Sequence, residues 1–542
     1  MTDAPAPASR RARRDPRGCG ARSHEPSREG AGSCAAKGGI ADAPPARVEQ
    51  RQTIAPNRAW LGLGLIALIS FLLTLDDTAL SVALPAIGRQ FRLGLSGLEW
   101  VVNAYTLALA ALLLAGGWLA DTFGSRRIFL AGLGLFTLAS LAAGLAADGP
   151  LLLAARVLQG GGAAMLMPAS LAIIADSFPQ RGRGTAIGIW AGVSAGGLAI
   201  GPLLGALLTE SLGWSAIFLI NVPVGALGLA FGRAILAERK PVDRRGFDFV
   251  GVLTEAAALF ALLFALTEGM SYGWGSPLVL GSFAAAAAGL ALFVWLEQRR
   301  EAPLLELDLF RSRNLSGANA VSLLSTAVMC AIFFFISLYL QSVRGYTAIE
   351  AGALFLPMTL IICVVAPVAG RLSDRIGRRL PAAAGMLILA AGLWLLSGLS
   401  ARGGLDTLLP GLIVAGAGIG LTSAPVTTAA LDFAPPEEAG MRAGVLNTSR
   451  MIGLAVGIAL MGAIVTARWP GGLAGAATDP RAFVDGLAVA FQVNAAIALA
   501  AAALAALTIA NGRPAAALRW RLGEAENRQG GQLASRGAAQ PR

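Results

Sequence analysis

Sparsely charged apolar runs of about twenty residues follow one another along this chain from Ala59 to Asn511, and that recurrence restricts its fold more than any other feature. At about 1.5 Å per residue, roughly twenty helical residues cross the hydrocarbon of a bilayer. Such runs occupy approximately 59–86, 98–120, 128–147, 151–175, 184–208, 214–237, 248–268, 277–296, 315–341, 347–370, 380–400, 406–431, 440–466 and 486–511, fourteen in all. Only 14% of the residues are charged and mean hydropathy is +0.65, whereas a soluble domain carries nearly twice that charge. Backbone in hydrocarbon must satisfy its own polar groups. The class is therefore an all-α polytopic membrane protein with 14 transmembrane helices.

An even count puts both termini on one side, and the basic residues say which. With the N-terminus inside, the inner loops hold 18 Lys and Arg and the outer loops 6. This positive-inside bias predicts cytoplasmic termini in a multi-pass plasma (inner) membrane protein bound to lipid. The net charge of +11 thus follows topology and excludes a nucleic-acid partner. Eleven of the 43 basic residues fall in the first 58. Residues 1–57 have no apolar signal region, and read either as a disordered cationic cytoplasmic tail or as the result of a start assigned too early, with an internal start near Val48. Residues 512–542 are the other cytoplasmic tail.

Cofactor chemistry finds no foothold. Cys19, Cys34, Cys330 and Cys363 lack disulfide or zinc spacing, and the single histidine, His24, lies in the tail. No P-loop exists, since the two lysines, Lys37 and Lys240, follow Ala36 and Arg239. No loop offers a nucleophile–base pair, so the chain is not read as an enzyme, and any work it does must draw on a gradient.

A repeat divides the array. "GWLADTFGSRR" (117–127) returns 253 residues later as "GRLSDRIGRR" (370–379), both fitting G-x-L-x-D-x-x-G-x-R after the second helix of a half. Loops on the same side mean a parallel repeat. The predicted domains are a six-helix bundle over 58–238, two additional helices with linkers over 239–312, and a second bundle over 313–511. In the motif, Asp121 and Asp374 sit where a helix meets the membrane surface, beside Gly117 and Gly370. Gly124 and Gly377 allow a tight turn. Arg126, Arg127, Arg378 and Arg379 can pair with acids on neighbouring helix ends. The expectation is a latch that closes the inner side, against the plainer alternative of topogenic arginines and a turn.

These strings resemble the major facilitator superfamily. "WAGVSAGGLAIGPLLGALL" (190–208) is similar to the fifth-helix motif of its antiporters. "LDDTALSVALP", "WVVNAYTLALA", "ARVLQGGGAA", "WSAIFLINVPVG", "APLLELDLFRSR" and "LYLQSVRGYTAIEAGALFLP" resemble, in order, its fourteen-helix drug:proton antiporter branch. The resemblance covers about 59–511. Thr122, Ser125 and Ser81 depart from the usual pattern. It implies a monomeric, multidrug-efflux-type carrier working by alternating access on protons and a small-molecule substrate.

Site expectations follow. Asp76 and Asp77 are the charged pair of the first apolar run, and consecutive helical residues point about 100° apart. The resemblance assigns Asp76 to the central cavity as proton acceptor and partner for a cationic substrate. Asp77 has no transferable role, and faces the outer vestibule or another helix. The resemblance also implies a part in proton transfer for Arg156, which can reach an acid on helix one, with Gln159 a turn away as a bridge. Arg450 and Asn447 in the thirteenth helix are given a comparable structural role. Glu255, in an extra helix, is a coupling candidate because buried ionisable groups in membranes are functional by default; Glu268 is expected to be solvated. Pro202 kinks the fifth helix while Gly197, Gly201 and Gly205 permit close contact, a joint suited to sealing the cavity. The function predicted is proton-coupled export of lipophilic or amphiphilic compounds, including drugs and antibiotics. A dedicated metabolite exporter, a symporter on the same scaffold and a non-transporting membrane sensor are the alternatives.

Overall fold

The computed structural model describes residues 56–238, 248–300, 303–400, 405–432, 438–468 and 480–511. Apart from Pro56 and Asn57, the N-terminal tail reading concerns positions outside these, as does the C-terminal tail. The described residues hold fourteen helices long and apolar enough to cross a membrane and no strand. In the first half they are α1 (Pro56–Phe91), α2 (Leu95–Phe123), α3 (Ser125–Gly144), α4 (Gly149–Ser177), α5 (Gln180–Leu212) and α6 (Ala216–Ile235). Next come α7 (Phe249–Tyr272) and α8 (Pro277–Glu297). The second half holds α9 (Arg313–Leu338), α10 (Ala348–Ile376), α11 (Arg379–Leu396), α12 (Leu405–Leu431), α13 (Ala439–Arg468) and α14 (Pro480–Thr508).

Several helices outrun the apolar runs, because polar first and last turns stay helical in the interface. The sixth crossing is not continuous. It breaks at Ile220, between Ala216–Leu219 and Asn221–Ile235. Pro223 has no N–H for the Leu219 carbonyl, so the ladder loses a rung there.

The neighbour plan is duplicated. In the first set α1 packs on α5 and α6, α4 on α2 and α3, and α3 on α6. In the second, α9 packs on α13 and α14, α12 on α10 and α11, and α11 on α14. Every pairing recurs eight helices later. Two seams join the sets, α5 with α10 and α2 with α13, and these are likewise related by the repeat. The extra helices α7 and α8 pack on each other, and α7 lies against both α2 and α13. Glu268 of α7 is buried rather than solvated, and its Oε1 accepts a 3.3 Å bond from Asn103 Nδ2 on α2.

Candidate functional site

The motif end shows how the seams are held. Gly124 and Gly377 adopt φ of 99° and 93°, a region that favours glycine, and each turns the chain from one helix into the next. These turns set Asp121 and Asp374 against the other half. Asp121 Oδ1 and Oδ2 accept from the Gly440 and Met441 amides, both at 2.7 Å, at the start of α13. Asp374 Oδ1 accepts from Gly184 N at 3.0 Å, and its Oδ2 from Thr185 N at 2.9 Å and Thr185 Oγ1 at 2.8 Å, in the first turns of α5. A carboxylate suits the positive end of a helix dipole.

The arginines of the motif pair within their own half. Arg126 reaches Glu238 at 2.7 Å and Arg127 lies 3.7 Å from the same carboxylate, which follows α6. Arg378 pairs with Asp432, which follows α12, and both are buried. Burial pushes the Arg378 guanidinium down to about 10 against the pull of the Asp374 carboxylate, so it stays charged at neutral pH. The aspartates of the motif, not its arginines, therefore bind across the halves, each accepting from two backbone amides of the other half.

The fifth-helix glycines need a correction. Gly197, Gly201 and Gly205 face α1, not the second half. A Cβ at Gly197 would lie 2.6 Å from the Phe71 carbonyl oxygen, one at Gly205 2.7 Å from that of Ala79, and one at Gly201 would overlap the Thr78 hydroxyl. They seat α5 on α1 inside the first set. The seam to α10 uses another row, Gly184, Gly188 and Gly192, which meets Gly370, Ala366 and Cys363. A spacing of four residues was the available signal for that row. Pro202 lies on the α10 side, where a Cβ at Gly352 would meet its ring at 3.3 Å.

The two aspartates part company. Asp76 is fully buried, so its expected place on the cavity is corrected. Its Oδ2 accepts from Arg156 Nη1 at 2.8 Å, and its Oδ1 from Asn221 Nδ2 at 2.6 Å. Arg156, also fully buried, donates from Nε to the Val101 carbonyl at 3.1 Å and from Nη1 to Gln159 Oε1 at 3.1 Å, with Tyr105 stacked 4.4 Å from its guanidinium carbon. Gln159 Nε2 donates to Ser140 Oγ at 2.8 Å. Five helices, α1, α2, α3, α4 and α6, thus meet at one ion pair. Sequence reasoning joined Asp76, Arg156 and Gln159 but missed Asn221, Ser140 and Tyr105. The single polar residues in apolar helices were the signal for the first two.

Asp77, one residue on, is exposed. At about 100° per residue, Asp77 and the exposed Ser81 lie on the face of α1 opposite Leu61 and Leu68, which meet lipid. The Asp77 carboxylate acts electrostatically on Cys330 of α9, the position to which the 253-residue repeat offset carries Asp77. Asp77 therefore opens between the two halves, with the Asp76–Arg156 pair behind it.

In the second half, Arg450 Nε donates to Ser322 Oγ at 3.1 Å, Nη1 to Asn447 Oδ1 at 3.3 Å and Nη2 to Thr427 Oγ1 at 2.5 Å. Glu255 of α7 is 1% exposed and neither of its carboxyl oxygens has a hydrogen-bond partner. It shares a stripe with the buried Leu259 and with Leu263, which packs among Leu107, Ala110 and Ala455. A carboxylate so placed costs several kcal/mol unless it carries a proton. No group of three or more potential metal ligands occurs among the described residues.

Comparison with known proteins decides the family. The Major Facilitator Superfamily model matches residues 66–458. The chain belongs to the Major Facilitator Superfamily. Its members are carriers, not enzymes. The multidrug resistance protein Stp of Mycobacterium tuberculosis is 39% identical over 414 residues, 75% of either chain. The tetracenomycin C resistance and export protein of Streptomyces glaucescens is 34% identical over 497 residues, 83% of this chain and 92% of that one. The solved proton:xylose symporter XylE shares the fold, with a TM-score of 0.59 at 14% identity over 82% of this chain and 95% of that one.

Proposed function

We propose that this chain is a proton-coupled antiporter that exports lipophilic or amphiphilic small molecules, drugs and antibiotics among them. The relatives, named for drug resistance and export, support the cargo class. The observation that supports the mechanism is the exposed Asp77 between two halves closed at the motif end. Asp77 takes the exchanging role, because cargo and proton can both reach it. Asp76 and Arg156 fix α1, α4 and α6 behind it, with Gln159 and Asn221 completing the network. Glu255 is a second proton-carrying candidate on the helix that touches both halves at the α2–α13 seam. The inner-loop gate is the pair of crossings from Asp121 and Asp374, which part when the bundles rock. On this reading the bundles of 58–238 and 313–511 move as bodies, the chain acts as a monomer, and the basic loops place both termini in the cytoplasm.

A proton gradient is sufficient drive. One charge crossing is worth about 2.3 kcal/mol per 100 mV. At roughly 150 mV, one proton against a neutral cargo supports a gradient of a few hundred-fold at ~1.4 kcal/mol per decade. The test uses everted vesicles with an imposed proton gradient and ethidium as an amphiphilic probe. Ethidium-induced proton release is expected, and Asp77→Asn should abolish it in a protein that still folds. Full coupled release in Asp77→Asn would remove Asp77 from the exchange. Proton-dependent uptake into right-side-out cells would replace the antiport reading with symport.

A further inference from the structure

Arg450 stands about a third of the way along the 30-residue α13, and no Asp or Glu faces it. Among the described residues of α9–α14, every acid lies within two turns of a helix end: Glu350, Asp374, Asp406, Asp432, Glu438 and Asp485. Three of them are committed elsewhere. Asp374 binds α5, Asp432 pairs with Arg378, and Glu438 pairs with Arg442 at 2.8 Å. The other arginine within a span, Arg156, is neutralised by Asp76. Arg450 carries a charge into the second half with no acid hydrogen-bonded to it, at a cost of several kcal/mol, and it is partly exposed rather than sealed.

Its setting is built rather than incidental. A guanidinium has five N–H donors in a fixed fork. Ser322 of α9, Thr427 of α12 and Asn447 of α13 engage three of them, one from each nitrogen, which fixes the plane from three helices. One N–H remains on each terminal nitrogen. Asn447 is fully buried, and because the arginine donates to it, its amide oxygen must face the guanidinium. That leaves Asn447 Nδ2 as a buried donor with no acceptor. Two spare guanidinium N–H groups and an unpartnered amide beside them form a donor set with no anion in it. Paired N–H donors match a carboxylate in bidentate fashion.

We propose that Arg450 and Asn447 form an anion-recognition site in the second half, which takes the carboxylate of an amphiphilic organic cargo. The site rests on the export reading for what brings the anion to it. Asp77 opens between the halves from the first set. The two accessible interior charges are thus opposite in sign and lie on opposite walls, so a single cavity can admit cationic cargo at one and acidic cargo at the other.

The test is equilibrium binding to the purified full-length protein in lipid nanodiscs at neutral pH, with fluorescent 9-anthroic acid and its methyl ester. A charge-assisted hydrogen bond is worth about 1.5–3 kcal/mol, so the carboxylate should bind about tenfold or more tighter than the ester. Arg450→Gln should bring that ratio to about one, while Arg450→Lys, which keeps the charge but loses the planar fork, should retain only part of it, and unchanged binding of the ester by both variants separates recognition from a folding defect. Equal binding of acid and ester by the unmodified protein, or a preference that survives Arg450→Gln, overturns the proposal. Full displacement of 9-anthroate by physiological chloride makes the group an inorganic-anion site and overturns the cargo assignment. Binding needs no proton gradient, so this result and the ethidium proton-release result can fail independently.

Discussion

The first and second six-helix sets pack by the same plan and carry opposite electrostatics. The first buries a complete ion pair, Asp76 with Arg156, and sets one acid, Asp77, at its open face. The second keeps its buried pair, Arg378 with Asp432, at the motif end, and within its helices holds a guanidinium with neutral acceptors. Duplication has preserved what backbone packing requires, the small residues and turns that let helices touch. It has not preserved interior charge, which packing does not need and which hydrocarbon penalises. Interior charge is therefore the better guide to where the halves divide the work.

The contrast is broken most directly at Asp77. Asp77→Asn should lower ethidium-driven proton release by about a hundredfold or more, since general acid–base groups contribute on that scale. The sealed pair should answer differently, in stability. Removing one partner of a buried pair costs about 3–5 kcal/mol, and removing both costs less than the two losses combined. Asp76→Asn and Arg156→Gln should each lower the melting temperature in detergent, and the double variant should recover part of the loss. Single variants that melt like the unmodified protein would show that the pair does not hold the bundle.

The two carboxylate crossings at the motif end sharpen the comparison on a smaller scale. Asp374 gains a hydroxyl bond from Thr185 beyond its two amide bonds, and its seam contains a natural reporter, Cys363, whose thiol donates to the Gly192 carbonyl at 3.0 Å. Asp374→Asn should raise alkylation of Cys363 by a membrane-permeant maleimide several-fold, read by mass spectrometry. Asp121→Asn, on the other seam, should change it less; an equal response would mean the seams open together. The smallest effect belongs to Arg126. Its pair with Glu238 is partly solvated, at 24% and 20% side-chain exposure, and such pairs contribute about 0–1 kcal/mol. Arg126→Gln should leave melting nearly unchanged, whereas Arg378→Gln, at a buried pair, should not.

The helix count, the repeat and the family were legible because hydropathy and motif spacing are properties of the chain alone. The two motif aspartates were legible for the same reason, but their partners were not. Backbone amides of α5 and α13 have no side-chain signature, whereas the arginines could be expected to find acids at neighbouring helix ends, as Arg126 and Arg378 do with Glu238 and Asp432. The order of Asp76 and Asp77 failed on geometry. Adjacent residues differ by about 100°, and only the positions of α4 and α6 decide which of the two is sealed. Gly197, Gly201 and Gly205 were read as a close-contact joint that seals the cavity, and their neighbour, α1, was not legible because a glycine row announces close contact but does not name the partner.

Helix α7, resting on α2 and α13, covers one of the two seams with protein. Among the described residues the other seam has no such cover. Ile200 and Leu207 on α5, and Leu360, Val364 and Val368 on α10, are left facing hydrocarbon. Molecules dissolved in the bilayer thus meet a shuttered flank and an unshuttered one, and a sideways doorway for greasy cargo has only the α5–α10 flank in which to open.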